Sequence, residues 1–113
     1  MPDDRGAARE ARDQGIQQAI DHAEAVVPGW VDQAYAALVD FLTINPRHRG
    51  VGFTSEQVRE HAAKLGVPQP PHLRSWGGVM RRAAREGVIV KAGITESKAA
   101  HCHCSHVGLW RGA

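Results

Sequence analysis

Apolar residues recur three and four positions apart over four stretches of this chain, and then gather in two short runs near its end. The first stripe is Ile16, Ala19, Ile20, Ala23, Val26 and Val27, which predicts an amphipathic helix over residues 13–28, closed by Pro28-Gly29. The second is Trp30, Ala34, Ala37, Leu38, Phe41 and Leu42, a helix stopped by Asn45-Pro46. The third is short: Val58, Ala62 and Leu65, ended by Gly66 and Pro68. Its start is marked by Thr54 and Gln57 in capping-box spacing, with Phe53 and Val58 placed as a hydrophobic staple. The fourth follows Pro70-Pro71 and ends at Gly87, with Leu73, Trp76, Met80, Ala83 and Ala84 on one side. Val88-Ile89-Val90 and Val107-Gly108-Leu109-Trp110 are β-like, separated by a polar segment that suits a hairpin. Ile89, Leu109 and Trp110 can then be buried against the helices. Residues 1–12 show no periodicity and are expected to be a flexible N-terminus.

The polar side of the fourth helix changes the picture. Arg74, Gly78, Arg81 and Arg85 stand at i, i+4, i+7 and i+11 and fall within about 60° on a helical wheel, flanked by Ser75 and Arg82. Arginine forks match phosphate oxygens and the O6 and N7 atoms of guanine. A glycine among them permits close approach by another surface. A solvated charged helix face is the plain alternative for such a pattern.

Charge distribution points the same way. The 113 residues carry a net charge of +2. Residues 1–28 hold three basic and six acidic side chains, giving −3, and residues 29–113 hold eleven basic and six acidic, giving +5. The basic excess thus travels with the arginine helix, and a pI near 8.8 permits a nucleic-acid partner. The 23% charged and 42% hydrophobic fractions suit one ordinary globular domain. No apolar run approaches the ~18 residues of a membrane span, and the polar N-terminus lacks a signal peptide's apolar core. A cytoplasmic protein with no membrane partner is expected.

Helix, short helix, tight turn, helix, then a hairpin is the order of a winged helix-turn-helix. The sequence resembles the small winged helix-turn-helix proteins common in phages and prophages. The likeness rests on Gly15-Ile16, His22-Ala23 and Trp30, on the run from Arg74 through Gly77-Gly78 to Ile89, and on Val107-Gly108-Leu109-Trp110-Arg111. It implies a mainly α fold with a small β-hairpin: residues 29–113 as the winged helix domain, preceded by the amphipathic helix. It also implies double-stranded DNA as the partner, in a regulatory or replication-associated role. The third helix of that domain would lie in the major groove and the wing along the backbone.

Arg74, Ser75, Gly78, Arg81, Arg82 and Arg85 are then the expected DNA-binding set on the helix, with Lys91, Lys98 and Arg111 on the wing. The loop Arg47-His48-Arg49 is a further candidate for phosphate contact. A protein-interaction module of a phage-like assembly is the alternative reading, since fold alone does not settle function. The stripe on the first helix needs a cover. Packing on its own domain is the favoured solution and a homodimer through this helix the other.

The run His101-Cys102-His103-Cys104-Ser105-His106 puts Cys102, Cys104 and His106 on one side of an extended chain. Thiolate and imidazole are good zinc ligands, but structural zinc sites usually draw ligand pairs from two segments and need a fourth donor. The favoured reading is therefore no metal, with the cysteines as small apolar residues. His22 and His61 read as boundary histidines, and Trp30, Trp76 and Trp110 as packing residues. No nucleophile–base order, carboxylate pair or phosphate-cradling Gly-Lys-Ser/Thr motif is present. Neither an enzyme nor a bound cofactor is expected.

Overall fold

The computed structural model describes residues 4–96 and 106–113. Four helices, α1 (Asp4–Val26), α2 (Trp30–Ile44), α3 (Ser55–Lys64) and α4 (Arg74–Arg85), are followed by an antiparallel hairpin of β1 (Ile89–Glu96) and β2 (His106–Gly112). No helix among the described residues is long and apolar enough to cross a membrane.

The corner between α1 and α2 is made by Gly29, whose φ of 82° suits a residue without a side chain. Glu24 closes it: its carboxylate accepts from the Gly29 N–H at 2.7 Å and the Val31 N–H at 3.0 Å. These are orphan donors at a helix start, where a negative charge also suits the helix dipole. From α2, Trp30, Ala34, Ala37, Leu38 and Phe41 enter the core. After the short 3₁₀ turn Pro46–Arg49, Gln57 accepts from the Thr54 N–H at 2.9 Å, and the predicted capping pair starts α3. Phe53 and Val58 are both fully buried.

Helices α3 and α4 end alike. Gly66 and Gly87 take positive φ, and the next residue's N–H reaches back into the helix: Val67 to Ala62 O at 3.0 Å, Val88 to Ala83 O at 2.8 Å. The second stop directs the chain into β1, where Ile89 is buried. The hairpin is tied to the helices through Phe53, which exchanges two backbone hydrogen bonds with Trp110, at 2.7 and 2.8 Å. Trp30 lies at the centre, edge-on to Trp76 with ring centroids 5.3 Å apart. Its indole N–H donates to Pro68 O at 2.8 Å, fixing the turn between α3 and α4.

Two boundaries, and the burial of one stripe residue, differ from the sequence reading. Helix α1 begins at Asp4 rather than about Asp13, because Ala7, Ala8, Glu10 and Ala11 are strong helix formers that need no apolar stripe. Helix α4 begins at Arg74, so Leu73 precedes it and is 44% exposed rather than packed. Val26, at the end of the first stripe, is also exposed.

Candidate nucleic-acid interface

Helix α4 packs on two sides, not one. Trp76, Met80 and Ala83 face the core shared with α2 and α3, as their spacing predicts, and Val79 joins them. A second face lies against α1. A Cβ on Gly78 would stand 2.0 Å from Ile20 Cδ1 and 2.9 Å from its Cγ1, and one on Gly77 would stand 3.4 Å from Ile16 Cδ1. Between them Ser75 is fully buried, its hydroxyl donating to Ala19 O at 3.0 Å. The partner of the α1 stripe is therefore α4 of the same chain. The glycine pair lets the two helices approach closely, as small residues at a helix crossing do.

This placement corrects the sequence reading at two residues. Ser75 is fully buried and bonded to α1, so it offers no surface to a duplex, and Gly78 lies against Ile20 and is only partly exposed. A wheel assigns glycine and serine to the polar side by default, and only a partner helix shows otherwise. The strip of α4 left open runs through Arg74, Arg81 and Arg85.

The arginines separate into two groups. Arg81 Nη1 lies 2.7 Å from Asp13 Oδ1 on α1. Arg82 lies 3.1 Å from Asp32 and 3.6 Å from Glu86, with its guanidinium carbon 4.1 Å above the Tyr35 ring. Its hydrogen bond to Asp32, with Glu86 nearby, raises its pKa further. The Tyr35 phenol is also held above its usual range, first by its hydrogen bond with Glu86, then by burial and that carboxylate's charge, against the opposing pull of Arg82. Arg82 thus clamps α2 to the end of α4. Arg74 and Arg85 are exposed and make no ion pair among the described residues, and the same holds for Lys91 and Arg111 on the hairpin.

Lys98, Cys102 and Cys104 lie outside the described residues, as does the side chain of His106, where β2 begins. Among the described residues, no three His, Cys, Asp or Glu side chains gather to hold a metal ion.

In the loop Arg47-His48-Arg49 the two arginines are exposed, but His48 is buried. It stacks on Phe41 at 5.1 Å and meets Phe53 edge-on, with Nδ1 3.0 Å from Val51 O. Sequence reasoning placed this histidine with the loop; its spacing from Pro46 carried no sign that it turns inward. His61 pairs with Asp40 at 2.7 Å and His22 is exposed. An open groove of about 360 Å³ lies between α3 and the turn before α4, with Arg59, Glu56 and Glu60 on its wall beside Trp76 and Leu73. Two carboxylates to one guanidinium make it a poor seat for a phosphate.

No protein-family model, curated protein or solved structure matches the chain.

Proposed function

We propose that the protein binds double-stranded DNA as a winged helix-turn-helix, in a cytoplasmic regulatory or replication-associated role of the phage or prophage type, and is not an enzyme. The observation that carries this reading is the order of elements. Helix α2 leads to Phe53, bridged to Trp110, and then α3, a turn pinned by Trp30, α4 and a hairpin follow. In that arrangement α3 and α4 form the helix-turn-helix and β1–β2 the wing. The four exposed cations Arg74, Arg85, Lys91 and Arg111 occupy the two elements such a domain turns toward DNA.

The cover over Gly78 changes how a duplex would be met. Helix α4 has only its open strip to offer, so contact is carried by phosphates more than by deep insertion into the groove. Binding should then be strongly salt-dependent with modest sequence preference. Four phosphate contacts give a slope near −3.6 in log K against log salt, a loss of about 10²-fold between 50 and 200 mM. Fluorescence anisotropy with a labelled duplex over that range measures it. Reversing Arg74, Arg85 and Arg111 to Glu together should abolish binding. A flat salt response, or affinity untouched by the triple reversal, would refute the reading. A protein-interaction module would then be left, favoured by the carboxylates that already hold Arg81 and Arg82.

A further inference from the structure

Helix α1 does more at this surface than cover α4. Asp13 Oδ1 lies 2.7 Å from Arg81 Nη1 and 3.8 Å from Arg12 Nε, so one carboxylate holds guanidinium groups from two helices. Two residues on, a Cβ at Gly15 would stand 3.3 Å from Arg74 Nη1, so the Arg74 side chain lies along α1 where that helix has no side chain to displace it. Arg74 and Arg81 are two helical turns apart on α4, and each reaches α1 within residues 13–15. Three guanidinium groups and one carboxylate thus line this seam. Arg12 and Asp13 are more than half exposed and Arg81 is 39% exposed. Glu10, one turn earlier on α1, is exposed and is the nearest further acid along that helix.

We infer that Arg12, Arg74 and Arg81 along this seam are phosphate-binding residues for the DNA backbone, with α1 as part of the DNA-contacting surface. This inference rests on the DNA-binding reading above. The chemistry is that of paired forks: a phosphodiester bridging two guanidinium groups accepts several charge-assisted hydrogen bonds at once. Asp13 has two opposed effects. It positions Arg12 and Arg81, and it competes with the phosphate for them.

That opposition gives a test. Affinity for a labelled nonspecific duplex is measured at 0.1 M salt for Arg12→Ala, Arg74→Ala and Asp13→Asn, with Lys64→Ala, at the far end of α3, as a charge-matched control. Each arginine removed should weaken binding about ten-fold and make the salt slope shallower by about one. Asp13→Asn should tighten binding about three-fold, the effect of removing a unit charge about 7 Å from a phosphate in water-like surroundings. Circular dichroism monitors the fold, and the exposed Arg12 gives a variant that leaves packing intact. If the wild type shows no salt-dependent binding, the DNA-binding reading itself falls. If it binds but Arg12→Ala, Arg74→Ala and Asp13→Asn leave affinity unchanged, or Lys64→Ala weakens it equally, the seam site alone is overturned. Tighter binding to single-stranded RNA of equal charge would also overturn it.

Discussion

Replacing Gly78 by alanine tests the placement of α1 and with it the nature of the surface α4 offers. Inside an exposed helix this change stabilises by about 1 kcal/mol, since alanine loses less backbone entropy. Here the new methyl would fall 2.0 Å from Ile20 Cδ1, 2.9 Å from Ile20 Cγ1 and 3.4 Å from Ile16 Cγ2. Carbon atoms pack best at about 3.5–4.0 Å. Ile20 must leave its rotamer, or α1 must move away, and such overpacking costs about 1–3 kcal/mol. The two effects partly cancel, leaving Gly78→Ala destabilising by about 1 kcal/mol. In an Ile20→Ala background the clash is gone and only the helix-propensity gain remains. A double-mutant cycle should therefore show a coupling of about 2 kcal/mol between the two positions. Urea unfolding of the four proteins, followed by circular dichroism, measures it. Were the Gly78 face open, as the wheel suggests, alanine would stabilise by the same amount in both backgrounds. A coupling under about 0.5 kcal/mol would refute the α1–α4 packing described above.

Three further outcomes follow from the same contacts. Gly52→Ala puts a Cβ within 2.6–2.9 Å of three Leu109 side-chain atoms, and the resulting displacement of the hairpin should lower stability by about 1–3 kcal/mol, read as a melting shift; an unchanged melting temperature would count against the Gly52–Leu109 contact. Ser75→Ala removes the buried hydroxyl that donates to Ala19 O, which should cost about 1 kcal/mol in urea unfolding, and no cost would place that hydroxyl in solvent. Tyr35 has a folded-state pKa raised above that of a free phenol, so the folded state holds its proton more tightly and stability should fall as pH rises beyond about 10. Tyr35→Phe should flatten that part of the stability–pH curve, and an identical curve would show that the phenol does not contribute.

The elements that were legible from sequence are those whose signals are local. Thr54 and Gln57 cap α3 from a spacing of three, Gly66 and Gly87 end helices as glycine does, and Trp76, Met80 and Ala83 declare one buried face of α4. The second buried face was not legible because it is made of residues with little or no side chain. Gly77 and Gly78 contribute packing by what they lack, and a hydrophobic pattern assigns them nothing. The signal existed in two pieces: a narrow stripe of Ile16, Ala19, Ile20 and Ala23 on one helix, and a glycine pair wide enough to receive isoleucines on another. Neither implies the other until both surfaces are seen together. The same pairing decides which arginines remain available. Asp13 belongs to the acidic portion of the chain, which the charge count set apart from the basic domain, yet the crossing of α1 over α4 brings it to Arg81. The separation of charge along the sequence is thus partly undone by the fold. A cationic surface that the sequence assigns to one helix becomes a seam between two, and its strength depends on how firmly Ile20 sits on Gly78.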